Sequence, residues 1–415
     1  MKIVNFSDLD KSFFEYTEFK EINTVKQILA EVRANGDEAV RKYSKKFDSL
    51  ELENFEISKE QIKEAYKKVD KKTLDALKYA AKNISSFARM QLSQLKDFEE
   101  KIDGNIVGQK IIPLQKAGCY VPGGRYPLPS TALMCVIPAK IAGVDEIIVC
   151  SPKIKPATIV AADIAGASRI FNIGGIQAIA AMAFGTQTVP KVDKIVGPGN
   201  KYVTAAKKEV YGEVGIDFLA GPSEVLVIAD DSANPAFIAA DLLAQAEHDP
   251  NARADLITTS KKMAQEVNKQ LELQLPKLKT KEIALSSLGN GRLVLVDSLE
   301  KAVEISNLRA PEHLELQVSA PDSIIGKLKN YGSLFIGKYC AEVFGDYCSG
   351  TNHTLPTSGA AKYTGGLSAK DFVKILTYQK ISKEGAGRLI DVASKLAEIE
   401  GLDAHKKAAE IRREK

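Results

Sequence analysis

The stretch EIIVCSPKIKPATIVAADIAGASRIFNIGGIQAIAAMAF, residues 146–184, decides the fold class of this chain. Short apolar runs alternate here with alanine-rich stretches that have helical spacing. Predicted strands lie at Glu146–Cys150, Arg169–Asn172 and Lys194–Val196, and predicted helices at about 130–142, 157–166, 176–184 and 200–210. Strands and helices that alternate in this order form a parallel sheet with helices on its faces.

A second series of the same kind follows after residue 224. Predicted strands are Val225–Ala229, Asp255–Thr258, Arg292–Val296 and Ser333–Ile336, with helices at about 234–248 and 260–274. Residues 23–99 have helical spacing, and the chain is predicted to be helical again after Gly366. The sequence therefore predicts an α/β protein with two similar parallel-sheet α/β domains and small helical N- and C-terminal extensions.

The composition of the 415 residues is typical of a soluble globular protein with a large core, at 45% hydrophobic and 27% charged residues. A formal net charge of +4 gives weak support for anionic ligands and none for a nucleic-acid surface. No apolar run approaches the roughly 18 residues that span a bilayer, so no membrane partner is expected. Five cysteines without a Cys-x-x-Cys spacing predict reduced thiols in a cytoplasmic protein.

The chain has four histidines, and each lies in a polar, loop-like or capping context: His248, His313, His353 and His405. Any one of them alone is more simply explained as a solvated or structural histidine. Four in such settings are better explained as metal ligands or proton carriers, so the chain is predicted to be a metal-dependent enzyme.

A candidate metal site combines side chains from distant segments. Gln245 and His248 lie three residues apart on a predicted helix and therefore point to one face. Asp346 adds a negatively charged oxygen and His405 a second imidazole nitrogen. Two nitrogens and two oxygens suit zinc, and manganese or cobalt nearly as well.

Glu312 and His313 follow Pro311 and form a candidate catalytic pair. An imidazole can act as a base on a reacting carbon while the neighbouring carboxylate positions or deprotonates water. An exposed loop pair without function is the competing interpretation.

Three glycine-rich turns are candidates for anion binding: Tyr120-Val-Pro-Gly123-Gly124, Asn172-Ile-Gly-Gly-Ile-Gln177 and Gly197-Pro-Gly-Asn200. The latter two lie between a predicted strand and a predicted helix, where backbone N–H groups attract anions. None matches Gly-x-Gly-x-x-Gly or a P-loop, so a dinucleotide is compatible with these turns but is not indicated by the usual fingerprint.

Together these motifs resemble the histidinol dehydrogenase family over nearly the whole chain. The resemblance rests on eight stretches in the family's order and approximate spacing: Tyr120-Val-Pro-Gly-Gly, Gly174-Gly-Ile-Gln-Ala-Ile-Ala, Gly197-Pro-Gly-Asn200, Ala220-Gly-Pro-Ser223-Glu, Gln245-Ala-Glu-His248, Ala310-Pro-Glu-His313, Gly345-Asp-Tyr-Cys-Ser-Gly-Thr-Asn-His353-Thr-Leu-Pro-Thr and Glu400-Gly-Leu-Asp-Ala-His405. Any one would be weak, but eight together are specific.

The resemblance implies an enzyme of the last steps of histidine biosynthesis, which oxidises L-histidinol through L-histidinaldehyde to L-histidine with two NAD. It implies one zinc per subunit, with manganese or cobalt as other possibilities. The implied metal ligands are Gln245, His248, Asp346 and His405. These four residues would also bind substrate, together with Ser223, His313 and Glu400. Tyr120, Gln177 and Asn200 would contact NAD, and Glu312 and His313 would be catalytic.

The resemblance also implies a homodimer in which the C-terminal tail crosses to the other subunit. Glu400 and His405 would then complete the partner's site. His353 is expected near the oxidised carbon.

The two domains are expected to be incomplete Rossmann-like units. Residues 1–20 would form an N-terminal helical extension, and 21–119 with 224–367 the first α/β domain. Residues 120–223 would form the second α/β domain with the NAD-contacting turns, and 368–415 the exchanged helical tail.

Three other functions compete with this interpretation. A related zinc- and NAD-dependent dehydrogenase could act on another small alcohol such as a sulfonated diol, although Glu400 would repel a sulfonate. A metal-dependent hydrolase could use Glu312 to activate water, but the glycine-rich turns would then lack a purpose. A binding protein of doubly wound fold would leave the Glu312–His313 pair unexplained.

Overall fold

The computed structural model of the chain describes residues 1–15, 23–51, 53–123 and 126–413. Its strands are β1 (Lys2–Asn5), β2 (Phe98–Ile102), β3 (Asn105–Pro113), β4 (Lys116–Tyr120), β5 (Glu146–Cys150), β6 (Arg169–Phe171), β7 (Lys194–Val196), β8 (Gly215–Ile216), β9 (Glu224–Ala229), β10 (Arg253–Thr258), β11 (Arg292–Leu295), β12 (His313–Gln317), β13 (Ser333–Ile336) and β14 (Val373–Lys380).

Its α-helices are α1 (Asn23–Asn35), α2 (Asp37–Asp48), α3 (Lys59–Lys68), α4 (Lys71–Ser93), α5 (Pro129–Ala142), α6 (Pro156–Ala165), α7 (Gly175–Phe184), α8 (Lys201–Val210), α9 (Pro235–Ala246), α10 (Lys261–Gln274), α11 (Lys281–Leu288), α12 (Leu299–Arg309), α13 (Asp322–Ile325), α14 (Glu342–Tyr347), α15 (Lys383–Ile399) and α16 (Asp403–Glu410). Short 3-10 helices occupy Phe6–Asp8, Lys11–Phe14, Leu275–Lys277, Ala360–Lys362 and Ala369–Phe372. None of the described helices is both long and apolar enough to cross a membrane.

The first parallel sheet has five strands in the order β6-β5-β4-β7-β8. Side chains of a strand alternate between the two faces, so Ile148 and Cys150 pack with α1, α2, α7 and α8, while Ile147 and Val149 pack with α3, α4, α5 and α6. Because both faces are buried, its central strands are nearly continuous apolar runs, which made them visible in the sequence.

The second parallel sheet has six strands in the order β1-β11-β10-β9-β12-β13. Helices α9, α10 and α11 cover one face, and α12 and α13 cover the other. The prediction of two parallel-sheet α/β units is therefore confirmed.

The predicted helical extension at residues 1–20 differs from the structure at its start. Lys2–Asn5 form the edge strand β1, in which Ile3 and Val4 join the cores on opposite faces of the six-stranded sheet. Only short 3-10 helices follow, and residues 16–20 lie outside the described part of the chain.

A third, antiparallel sheet of order β14-β3-β2 was not predicted. Its strand β2 begins at Phe98, within the last two residues of the predicted helical region. Its strand β14, Val373–Lys380, lies in the predicted helical tail, of which α15 and α16 are the helical part. The hairpin between β2 and β3 turns at Asp103 and Gly104, whose φ angles are +47° and +82°. Asp-Gly is a strong signal for such a two-residue turn, and the sequence carried it.

The packing also differs from the predicted division of the chain. Residues 21–119 were expected to belong with 224–367, but helices α1–α4 cover the five-stranded sheet formed by 116–216. Their apolar stripes have no other partner in the described cores, whereas the helices of the six-stranded sheet come from residues 235–325.

Residues 346–358, which we call the bridging segment, contact both parallel-sheet units. Asn352 Nδ2 donates to the Met134 carbonyl of α5 (2.7 Å), and His353 Nε2 lies 3.4 Å from Thr131 Oγ1 at the start of α5. At its other end, Ser358 N donates to Glu224 Oε1 at the start of β9 (2.9 Å). The carboxyl side of the five-stranded sheet and the amino side of the six-stranded sheet therefore adjoin this segment.

A buried ion pair fixes the turn after β7. Lys207 of α8 and Asp217 are both almost fully buried, and Lys207 Nζ also donates to the Gly197 carbonyl (2.9 Å). Asp217 Oδ2 accepts from Gly197 N (2.8 Å). Gly197 has a φ of +115°, and an added Cβ would lie 2.1 Å from the Tyr120 carbonyl oxygen, so only glycine fits here.

We expect Lys207→Ala to lower the free energy of unfolding by about 3–5 kcal/mol, because it leaves the Asp217 carboxylate buried without its cation. Lys67→Ala, which removes an exposed ion pair with Glu64, should lower it by less than about 1 kcal/mol. Urea unfolding followed by circular dichroism measures both variants. Equal losses would contradict the role given to the buried pair.

Candidate active site

The candidate active site lies at the amino ends of two neighbouring strands of the six-stranded sheet. Glu312 and His313 stand at the start of β12, next to Glu224 at the start of β9. Ala310, the C-cap of α12, has a left-handed conformation (φ +47°). It directs the chain through Pro311 to the start of β12. The predicted loop pair is therefore buried, with exposed fractions of 5% for Glu312 and 4% for His313.

His313 is surrounded by carboxylates. Its Nδ1 lies 3.2 Å from the Glu224 carbonyl oxygen, 3.5 Å from Glu342 Oε1 and 3.7 Å from Glu312 Oε2, and its Nε2 lies 3.4 Å from Asp346 Oδ1. Burial by itself would lower the pKa of His313, but the charges of these carboxylates raise it well above the ordinary value.

Glu312 is held by the backbone of the neighbouring strand, since its Oε2 accepts from Glu224 N (2.9 Å). Burial raises the pKa of Glu312 to about 7, against the lowering effect of His313. A carboxyl group with a pKa near neutrality can take and return a proton at physiological pH.

Glu342 links the catalytic pair to Gln245, which the end of α9 brings into the site. In the amide orientation that satisfies both of its polar atoms, Gln245 donates through Nε2 to Glu342 Oε1, and its Oε1 accepts from Glu224 N (2.9 Å). Glu342 is 1% exposed, and burial raises its pKa well above the ordinary value despite the nearby His313. Its Oε2 has no hydrogen-bond partner among the described residues.

Asp346 follows Glu342 by one helical turn of α14 and is also close to three imidazoles. Burial would raise its pKa, but His313, His353 and His248 together hold the pKa below its ordinary value. His248 is exposed at the end of α9. His353 is partly buried in the bridging segment, and this burial lowers its pKa.

A metal ion fits this donor set. Ligand atoms of His313, Glu342 and Asp346 all lie within 4.8 Å of one another. Two of the buried polar atoms here, His313 Nε2 and Glu342 Oε2, have no hydrogen-bond partner in the described part of the chain. Imidazole nitrogens and carboxylate oxygens are the ligands that zinc and manganese take. Of the four predicted ligands, Asp346 belongs to this group, and Gln245 and His248 adjoin it.

The two predicted site residues of the tail are elsewhere. Glu400 caps α15 and His405 lies on α16, and both are exposed. No hydrogen bond or ion pair joins His405 to the cluster in the residues that the structure describes. A single chain therefore does not assemble the complete predicted ligand set.

Ser223 directly precedes β9 and so adjoins the cluster through its neighbour Glu224. Its carbonyl accepts from Arg253 N (3.0 Å), and its side chain is half-exposed. Nearby, Gly221 N donates to Thr357 Oγ1 (2.5 Å), which ties this loop to the bridging segment.

The three residues predicted to contact NAD lie at the carboxyl side of the five-stranded sheet. Tyr120 ends β4, and its hydroxyl accepts from Gly175 N at the start of α7 (3.1 Å); burial raises its pKa well above the ordinary value. Gln177 is 1% exposed and donates through Nε2 to Asp48 Oδ2 (3.2 Å). Its Oε1 has no partner among the described residues, so this buried amide has one unfilled acceptor.

Asn200 acts as the N-cap of α8, because its Oδ1 accepts from Tyr202 N (3.0 Å) and Val203 N (3.2 Å). The glycines of the predicted anion-binding turns chiefly permit close packing: an added Cβ at Gly123 would lie 2.3 Å from the Pro152 carbonyl oxygen, and one at Gly174 2.3 Å from the Pro152 Cβ. Gly124 of the first turn lies outside the described residues.

Sequence reasoning missed Glu224 and Glu342. Glu224 is buried, with Oε2 accepting from Arg309 (2.7 Å). Glu342 begins a helix of six residues, too short to give a periodic signal. The sequence signal for Glu342 was its place four residues before Asp346, which a helix converts into adjacency.

A second pair of buried acids, Asp241 of α9 and Glu315 of β12, lies beside the site. Burial raises the pKa of Asp241 to about 6, and burial with the charge of Asp241 raises the pKa of Glu315 well above its ordinary value. Glu315 Oε1 accepts from Glu342 N (3.3 Å), which connects this pair to the start of α14.

Comparison with known proteins identifies the family of this chain. The sequence model of the family described as histidinol dehydrogenase matches residues 15–413. The histidinol dehydrogenase of Methanocaldococcus jannaschii is 50% identical over 400 residues, which cover 95% of this chain and 93% of the relative. That of Clostridium acetobutylicum is 48% identical over 397 residues, with 94% and 92% covered. The crystal structure of histidinol dehydrogenase from Elizabethkingia anophelis has a TM-score of 0.94 at 40% identity, covering 99% of this chain and 97% of that one. This chain belongs to the histidinol dehydrogenase family.

Proposed function

We propose that this chain oxidises L-histidinol through L-histidinaldehyde to L-histidine, with two NAD as hydride acceptors and one zinc ion per subunit. The observation that carries the proposal is the buried Glu312–His313 pair at the start of β12, where His313 lies close to Glu342 and Asp346, side chains of types that can bind a metal ion. The names of the relatives and the spacing of the site motifs support the same substrate.

Gln245, His248 and Asp346 would hold the metal together with His405 of a second copy of this chain. Manganese or cobalt would suit the same oxygen and nitrogen donors. When bound, the metal would supply a positive charge and fixed positions for the amino and imidazole nitrogens of histidinol. That positive charge would also offset the negative charge of Asp346, which raises the pKa of His313. The pKa of His313 would therefore be lower when the metal is bound.

His313 is the base for the alcohol. A carbonyl oxygen only accepts hydrogen bonds, so the contact with the Glu224 carbonyl assigns the hydrogen to Nδ1 in the neutral imidazole. Nε2 then carries the lone pair and takes the hydroxyl proton of histidinol as hydride leaves the carbon. The resulting imidazolium is stabilised by Glu342 and Glu312, 3.5 and 3.7 Å from Nδ1.

Glu312 serves the second oxidation, which adds water to the aldehyde. Its carboxylate accepts a proton from water as the oxygen attacks the carbonyl carbon, and His313 accepts another proton in the second hydride step. When bound, NAD would supply the hydride acceptor for each oxidation. Tyr120, Gln177 and Asn200 are the residues of this chain that we expect to contact it. Ser223 and the partner's Glu400 would contact histidinol itself.

A homodimer with exchanged tails accounts for the position of Glu400 and His405. Helix α15 exposes an apolar stripe of Leu389, Val392, Leu396 and Ile399, with exposed fractions from 44% to 71%. An unpartnered stripe of this kind marks an interaction surface, and a second copy of the chain would cover it. The buried free thiols of Cys119, Cys135 and Cys150 fit the expected cytoplasmic location.

His313→Asn should reduce kcat for histidinol by about 10²–10⁴-fold, because the variant lacks the base, while bound zinc stays at the wild-type level. Gln245→Ala is the control, since removal of a ligand should lower the zinc content as well as the activity. Zinc is measured by atomic absorption after gel filtration. Loss of zinc from His313→Asn would show that His313 is itself a ligand, as its proximity to Glu342 and Asp346 permits.

Glu312→Gln should slow conversion of histidinaldehyde more than the first oxidation of histidinol, because only the aldehyde step needs an activated water. In the wild type, kcat/KM for histidinaldehyde should fall as the pH is lowered through about 7, since protonation removes the base form of Glu312. Stopped-flow NADH absorbance with each substrate measures both effects. Wild-type conversion of the aldehyde by the variant, or a flat pH profile below 8, would remove Glu312 from this role.

Mixing subunits that carry His313→Ala with subunits that carry His405→Ala should restore activity. If tails are exchanged, one site of each heterodimer receives both defects and the other receives none. Heterodimers made by joint refolding and isolated with two different affinity tags should therefore have about half the wild-type activity. Inactive heterodimers would show that His405 serves its own subunit.

A further inference from the structure

The strand order of the five-stranded sheet defines a crevice at its carboxyl side. From β4 the chain proceeds outward to β5 and β6, and then returns to form β7 and β8 on the other side of β4. The crevice between β4 and β7 is therefore the topological switch point, where open parallel sheets bind dinucleotides. Tyr120 ends β4 and the turn Gly197–Asn200 follows β7, so two of the predicted NAD contacts border this crevice.

In sheets of this order, the adenosine half of a dinucleotide lies over the strands that follow the central one. A carboxylate at the end of the second strand usually accepts hydrogen bonds from the ribose hydroxyls. Here that strand is β5, and the residues at its end, Cys150-Ser-Pro-Lys153, include no acid. The usual ribose acceptor is therefore absent from β5.

Helix α2 brings a carboxylate, that of Asp48, close to the end of β5. Asp48 is the last residue of α2, which packs through Val40 and Tyr43 in the same core as α7. Its Oδ2 accepts from Gln177 Nε2 (3.2 Å), and the positive charge of Lys153 acts on it. Asp48 thus stands between the end of β5 and the start of α7, beside the predicted NAD contact Gln177.

Asp48 is equipped to accept further hydrogen bonds. It is half-exposed, and Gln177 engages only Oδ2, so Oδ1 has no hydrogen-bond partner among the described residues. Gln177 is itself almost fully buried, so its amide fixes the position of the Asp48 carboxylate. Each carboxylate oxygen can accept more than one hydrogen bond, so the two oxygens of Asp48 can still accept from the two neighbouring hydroxyls of a ribose.

We propose that Asp48 accepts hydrogen bonds from the hydroxyls of the adenosine ribose of NAD. It thereby excludes NADP, because the 2′-phosphate of NADP would lie next to a group of the same charge. This inference rests on the proposed use of NAD. The mechanism of exclusion is the repulsion between the carboxylate and the phosphate, together with the loss of the 2′-hydroxyl as a donor. If a substitution removes the charge of Asp48, the positive charge of Lys153 remains nearby and favours binding of the 2′-phosphate.

Binding of NAD, NADP and nicotinamide mononucleotide to the purified zinc-loaded protein tests the proposal by titration calorimetry without histidinol. Asp48→Asn keeps the shape of the side chain and removes its charge. We expect the ratio of the NADP to the NAD dissociation constant to fall by at least about tenfold. Nicotinamide mononucleotide lacks the adenosine ribose, so its affinity should stay within about twofold of the wild type.

Two further variants secure the comparison. Asp163→Asn removes an exposed carboxylate on α6 that pairs with Tyr66, and it should bind all three ligands like the wild type. Asp48→Glu keeps the charge and should keep the preference for NAD even if its NAD affinity falls. Thermal melting checks that each variant is folded.

Each outcome has one meaning. Equal affinity of the wild type for NAD and NADP, or an unchanged ratio in folded Asp48→Asn, overturns the role of Asp48 while NAD use stands. A wild type that binds neither dinucleotide and does not reduce NAD with histidinol overturns the proposed function instead. A lower ratio in Asp48→Asn with the wild-type ratio in Asp48→Glu supports the inference.

Discussion

The burial of negative charge around one imidazole is the constraint on which the rest of the site depends. Glu312, Glu342 and Asp346 surround His313. Among the described residues, Glu224 is the one nearby carboxylate with a guanidinium partner, Arg309 at 2.7 Å. Buried like charges are costly unless protons or cations neutralise them. Burial raises the pKa values of Glu312 and Glu342, and the surrounding carboxylates raise that of His313. A bound cation would offset the same buried charge, in keeping with the ligand types of the proposed metal site.

The two parallel sheets could be predicted from the sequence because their strands are short apolar runs separated by helical periodicity. Runs such as Glu146–Cys150 and Glu224–Ala229 are buried on both faces, and this burial leaves the same signature whatever the partner strand is. The antiparallel sheet left no such signature. All five residues of β2 are exposed, and β14 is mostly exposed, so neither has the alternation that marks a half-buried strand. In addition, β14 pairs with β3, which lies far away along the chain.

The site shows the same division between local and distant information. Glu312, His313, Gln245 and Asp346 were found as residue types in context, and the fold brings them to the amino ends of β9 and β12. Which side chains touch could not be deduced, since contact between α9, β12 and α14 depends on sheet order and on a six-residue helix. Glu342 was missed for that reason. The partners of the tail residues Glu400 and His405 are likewise not encoded in local pattern.

The pairing of β1 with β11 has a consequence for the order of folding. Lys2–Asn5 pair with Arg292–Leu295, and the Met1 backbone is held by Asn268, so β1 completes a sheet whose other strands are synthesised much later. The strands of the five-stranded sheet all come from residues 23–216, so none of them pairs with a strand that is synthesised much later. Closing a loop of this length is slow compared with local pairing. During synthesis the strands of the five-stranded sheet can pair while β1 stays unpaired, and the cluster around His313 forms only when the six-stranded sheet has assembled.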